Sequence, residues 1–106
     1  MHAVEFLQAW YQVQSNGRWE RAHGVTIESL ETPGWIVTID LAGTPLENHP
    51  MRAVARDLSK RDWMICEVDR NQFRGQGDPE KLLSIIQTFQ TWAESESARA
   101  QASTVR

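Results

Sequence analysis

Apolar residues fall into three successive patterns along the chain. Between residues 3 and 14, Val4, Phe6, Leu7, Trp10, Tyr11 and Val13 recur at spacings of three and four among polar residues, which predicts an amphipathic helix. Ser15-Asn16-Gly17 ends it, since Asn and Gly suit the left-handed closing position. From 24 to 42 the period drops to two. Val25 and Ile27 alternate with Thr26 and Glu28, and Trp35, Val37, Ile39 and Leu41 alternate with Ile36, Thr38, Asp40 and Ala42. Between these runs Thr32-Pro33-Gly34 supplies a proline that presets φ and a glycine that accepts positive φ, so a hairpin is expected.

Residues 43 to 50, with Gly43, Pro45, Asn48 and Pro50, read as a loop. Residues 51 to 58 fit a helix through Met51, Val54 and Leu58 or a strand through Ala53 and Ala55, with the strand preferred. Trp63 to Val68 and Gln72 to Gly75 are expected as strands across a turn at Asp69-Arg70-Asn71. Asp78-Pro79-Glu80 then marks a helix start: Asp caps, Pro suits the first helical position, and Glu favours the positive end of the helix dipole. Leu82, Ile85, Ile86, Phe89, Trp92 and Ala93 form its apolar stripe. Beyond Ala93 the only apolar residues are alanines and one valine, so residues 94–106 are expected to fray or stay disordered, leaving one domain over 1–93. The predicted class is α+β: an antiparallel meander sheet of four or five strands with an N-terminal and a C-terminal helix packed on one face.

Composition narrows the function. A chain of 106 residues holds one domain, and 41% apolar with 24% charged residues is the balance of a globular protein. The five tryptophans are spread over the chain, so separate elements each bring one large anchor to a shared interior; any that stayed exposed would instead suit a binding hot spot. A net charge of -3 argues against a nucleic-acid partner, whose binding domains are usually basic, and for a protein partner. Cys66 is the single cysteine, so neither an internal disulfide nor a zinc site is expected, and no cofactor is implied. The first residues carry no Lys/Arg run, and no stretch approaches the ~18 apolar residues of a membrane span, so a cytoplasmic protein away from membranes is expected.

No catalytic constellation emerges. Of His2, His23 and His49, no two share the i, i+4 spacing of a helical metal site. Glu20 and His23 would make an acid–base pair only if they met in a pocket, which defines a rival reading as a small hydrolase; a self-associating scaffold is the third alternative. Cys66 lies in the extended run Met64-Ile65-Cys66-Glu67-Val68, where cysteine behaves as a small hydrophobe and the nearby Glu67 and Asp69 have the wrong sign to activate a thiol. Gly75-Gln76-Gly77-Asp78 lacks the Gly-Lys-Ser/Thr of a phosphate loop and reads as a turn into a capped helix. Charge patterning says more. Between Arg21 and Arg52 there is no Lys or Arg, while Glu28, Glu31, Asp40 and Glu47 all fall in this interval. Alternation puts Glu28 and Asp40 with Thr26 and Thr38 on the hairpin face opposite Val25, Ile27, Val37 and Ile39, an acidic surface suited to a basic partner.

Gly17-Arg18-Trp19-Glu20 with His23-Gly24, then Pro33-Gly34-Trp35, Asp62-Trp63, and Phe73-Arg74-Gly75-Gln76-Gly77-Asp78-Pro79 leading to Phe89 and Trp92 follow in an order and spacing that resembles the immunity protein 53 family over about residues 5 to 93. Glu31-Thr32 departs from the family pattern, where an Asn directly precedes the Pro; this touches turn geometry. The resemblance implies a cytoplasmic, non-enzymatic antidote that binds and blocks a cognate bacterial polymorphic toxin, and it transfers no catalytic residue. The expected contact residues are Glu28, Glu31, Asp40 and Glu47, with Trp19, Glu20 and His23 as secondary candidates; oligomeric state stays open.

Overall fold

The computed structural model describes residues 2–104, with side chains through residue 100. Its elements are α1 (Ala3–Gln14), the single turn α2 (Trp19–Ala22), β1 (Val25–Leu30), β2 (Gly34–Asp40), β3 (Val54–Ser59), β4 (Asp62–Asp69), β5 (Gln72–Gly77) and α3 (Leu82–Thr104). The class is α+β as expected: one antiparallel five-stranded sheet with α1 and α3 on the same side.

Strand order departs from a simple meander. It runs β1-β2-β5-β4-β3, so the β1–β2 hairpin and the β3–β4–β5 meander are joined edge to edge, with β5 at the centre. Glycine lets α3 approach β5 closely. A Cβ on Gly75 would collide with the side chain of Ile85, and one on Gly77 would lie 2.6 Å from the Cβ of Lys81. The bare backbone of β5 therefore lets α3 settle directly onto it. Gly34 is kept bare by a different contact, with the β5 backbone. Its φ is not positive, contrary to the expected turn role; instead an added Cβ would stand 2.5 Å from the Gly77 carbonyl oxygen. The turn at Arg70 and Asn71, by contrast, has φ of 52° and 58°, the two positive values of a tight hairpin turn.

The core lies between sheet and helices. Val37, Ile39, Cys66 and Phe73 from the sheet, Leu41 just after it, and Ile85 and Phe89 from α3 are fully buried, with Ala3 and Leu7 of α1 beside them. Phe89 is its hub: its ring meets Phe73 and Trp10 edge-on at 5.2 Å and Phe6 and Trp92 at 6.1 and 6.2 Å. Burying one such side chain contributes roughly 1.5–3 kcal/mol, and each aromatic pair about 0.5–1.5 kcal/mol more. Three tryptophans also latch connections to this core: the indole N–H groups of Trp19, Trp35 and Trp92 donate to the carbonyls of Ala42, Pro79 and Pro50 at 2.9, 3.0 and 3.0 Å.

The segment expected to be a tail is longer in structure than its composition suggests. α3 continues past Ala93 to Thr104; residues 105 and 106 lie outside the description. One buried acid explains the extension: Glu96, 6% exposed, bonds His49 Nδ1 at 3.1 Å and Arg99 at 3.2 Å, tying this stretch to the β2–β3 connection.

Candidate partner-binding face

The motif residues turn out to be joints of the fold. In Asn16 to Glu20, Asn16 Oδ1 accepts the backbone N–H groups of Arg18 and Trp19, while the Glu20 carboxylate accepts those of Asn16 and Gly17 at 3.0 and 2.7 Å. This reciprocal cap ends the α1–α2 link, and hydrogen bonding to backbone N–H groups, its own first, holds Glu20 below the usual carboxylate range. Glu20 is therefore engaged in structure, and His23 Nδ1 lies 3.9 Å from Asp40 rather than on Glu20. The acid–base pair of the rival hydrolase reading is not assembled.

Asp78 is the second joint. It is completely buried, yet its carboxylate accepts Trp63 N–H, Glu80 N–H and Lys81 Nζ at 2.9, 2.9 and 2.7 Å. Lys81 also reaches Asp62 at 2.9 Å, and Asp62 takes a two-pronged bond from Arg56. Alternating charges thus run from β3 across the start of β4 to the start of α3. Lys81 chiefly holds Asp78, and Arg56 followed by Lys81 holds Asp62, below the ordinary carboxylate value. Cys66 is sealed in the core, where burial pushes its thiol up to about 11. Among the described residues no group of three or more His, Cys, Asp and Glu is placed to hold a metal ion.

What remains open is the other side of the sheet. Both helices and the β2–β3 connection pack on the face bearing Val37, Ile39, Cys66 and Phe73, so the opposite face carries no covering element among the described residues. Register arranges it in rows. Glu28, Ile36, Gln76, Ile65 and Ala55 cross the sheet in one row; Thr26, Thr38, Arg74 and Glu67 form the next; Asp40, Gln72 and Asp69 form the third. Ile36 and Ile65 stand on either side of Gln76 and are flanked by carboxylates, with Asp57 on β3 at the far edge and Arg74 the cation set among them.

Of the expected contact residues, Glu28 and Asp40 lie on this face. Glu31 is exposed in the β1–β2 turn and Glu47 in the β2–β3 connection, at opposite ends of the hairpin, so the four acids do not make one patch. Asp40 is partly committed: it accepts Gly24 N–H and Gln72 Nε2, both at 2.9 Å. Trp19 is 5% exposed and latched to Ala42, which leaves its ring no surface to offer. His23 is half-buried beside that ring. Glu67, Asp69, Asp57 and Arg74 were missed, although alternation about Cys66 already set Glu67 and Asp69 opposite the core. The missing fact was that β4 and β5 continue the hairpin's sheet.

The architecture is thus a one-sided α+β sheet with an open, acid-rich face. Residues 4–94 match the family model of immunity protein 53, and the chain belongs to that family. Membership points to toxin immunity, and to an inhibitor rather than an enzyme. No curated protein and no solved structure is detectably similar to the chain. No helix among the described residues is long and apolar enough to cross a membrane.

Proposed function

We propose that the chain neutralises a cognate polymorphic toxin in the bacterial cytoplasm by stoichiometric, non-catalytic binding, with the open sheet face as the centre of contact. The observation that carries this reading is the coincidence of family membership with an uncovered face on which Glu28, Asp40, Asp57, Glu67 and Asp69 outnumber Arg74. Such a field attracts a basic toxin surface, speeds association and disfavours acidic partners. Ile36 and Ile65 supply the apolar centre that a stable interface needs. Glu31 and Glu47 extend the acidic rim at the two ends, while Trp19, Glu20 and His23 act by holding the segment that leads into β1.

Co-expression tests the reading. If a toxin reading frame lies beside that of this chain, its product, lethal alone, is expected to become harmless with this chain and to be inhibited at one-to-one stoichiometry in vitro. Inhibition at far less than one equivalent would point to catalysis, and absence of both rescue and binding would overturn the immunity reading. Glu28→Lys combined with Glu67→Lys should slow association about tenfold or more at low salt and little at high salt.

A further inference from the structure

We infer that β1 is an acceptor edge: an extended segment of the toxin, with apolar side chains at every second position and Lys or Arg between them, adds to the sheet beside β1. The inference takes its partner from the immunity reading, but its geometry stands on the edge itself.

The two edges of the sheet differ. β3 is guarded, because its pairing with β4 shifts register between Asp57 and Ser59, throwing out Leu58, and because it carries Arg56 and Asp57; bulges and charges blunt an edge. β1 runs as Val-Thr-Ile-Glu-Ser-Leu in unbroken register with β2, with no proline and one charge. Its free hydrogen-bonding groups can be assigned. Asp40 N–H donates to Gly24 O, and Leu41 N–H donates away from β1 to Asn71 O. Antiparallel alternation then turns Thr26 and Glu28 toward β2, and leaves the N–H and C=O groups of Val25, Ile27 and Ser29 facing outward.

The side chains of those same residues point to the helix side, where α1 and α3 stop short of the edge. A groove of about 800 Å³ runs there between β1 and α1; Val4, Leu7, Tyr11, Val25, Ile27 and Leu82 line its apolar part, and Glu20, Arg21, His23 and Asp40 its polar part. Ile27, Val4 and Tyr11 are 44%, 43% and 40% exposed, high for large side chains beside a core. An added strand would drop alternate side chains into this groove and present the intervening ones on the outer side, next to Glu28 and Asp40. Backbone pairing would give affinity, the groove would select apolar residues, and the carboxylates would select Lys or Arg. Contact around the edge also answers a question of size. The open face spans roughly 20 Å by 20 Å, and a standard interface takes about 800 Å² from each partner, so a stable complex has to run past the rim.

Amide hydrogen exchange on the full chain tests this, with two probes: the toxin, and a synthetic peptide alternating valine with lysine. The amides of Val25, Ile27 and Ser29 are expected to slow about tenfold or more with either probe, with Thr26 and Glu28 nearly unchanged and a peptide of the same composition in blocks without effect. Ile27→Pro deletes an N–H that the β1–β2 ladder does not use, so it should weaken peptide binding by more than about tenfold while thermal unfolding shows the fold intact. If that variant fails to fold, exchange on the unmodified chain still decides. Toxin neutralised with these amides unprotected would sink the edge inference and leave the immunity reading standing. Protection that already appears in the free chain and grows with its concentration would overturn it in favour of two copies pairing through β1. Protection by the alternating peptide in the absence of any toxin effect would support strand addition and count against the immunity reading.

Discussion

On the helix side of the sheet Val37, Ile39, Cys66 and Phe73 have no solvent exposure, while one residue along each strand Ile36, Thr38, Glu67 and Arg74 remain open to it. Both sets arise from the same period-two alternation, so the strands themselves do not make one face core and the other surface. α3 does. It can lie flat on only one side, and the bare backbone at Gly75 and Gly77 together with the Asp78–Lys81 joint settles it there. The contrast teaches where tolerance to change lies: on the covered face volume is critical, and on the open face charge is.

Four measurements would break or sharpen this contrast. The largest effect is expected from Phe89→Ala, which empties the centre of five aromatic rings and should cost about 3–5 kcal/mol in urea unfolding. A value under 1 kcal/mol would mean that the covered face is not the core. Gly75→Ala comes next. Its new methyl meets Ile85 and the Cys66 sulfur, so a loss of about 1–3 kcal/mol is expected from overpacking, whereas Ala in place of an unencumbered strand glycine would normally stabilise.

Acid should act through the charged joint. Asp62 and Asp78 both titrate below their ordinary 3.8 in the fold, so near that pH the unfolded chain binds more protons than the native one. Their stabilisation is complete above about pH 5 and is lost as pH falls through 3.8 toward the folded values. Lys81→Met removes a cation from both, and should destabilise the protein at pH 7 while flattening this acid limb; an unchanged slope would show that the joint does not control it. The smallest effect on folding is expected from Glu28→Lys and Glu67→Lys, each within about 0.5 kcal/mol of wild type. If either unfolds the chain, the open face is structural and the contrast fails. Asp40→Lys is a poorer probe of charge, since it would also break the bonds to Gly24 and Gln72.

Much of the architecture was legible beforehand. The 3.6-residue period of Val4 to Val13 and the alternation of Val25 to Leu41 give α1 and the hairpin nearly to the residue, because local backbone preference and burial agree there. The apolar stripe after Asp78 gives α3, although its regular helix begins at Leu82 because Asp78 to Lys81 form the capping turn. The C-terminal stretch was misjudged because its anchor is Glu96, a charged residue that composition assigns to solvent and that His49, distant in the chain, and Arg99 together make tolerable inside. Trp19 and Glu20 show a related ambiguity: a motif rich in Trp and Glu reads equally as contact surface or as capping turn, and here backbone hydrogen bonds engage both in the turn.

By itself the order of residues determined most of the segments that coil or extend and which side chain alternates with which. Tertiary structure alone decided that β5 enters between β2 and β4, and therefore that Glu67, Asp69 and Arg74 share a surface with Glu28 and that β1 is left as a bare edge. The reason is physical. Alternation is a property of one strand, whereas neighbourhood depends on segments distant in the chain, and the fit of α3 onto the sheet is set by Gly75 and Gly77, whose missing side chains make room for Ile85 and Lys81.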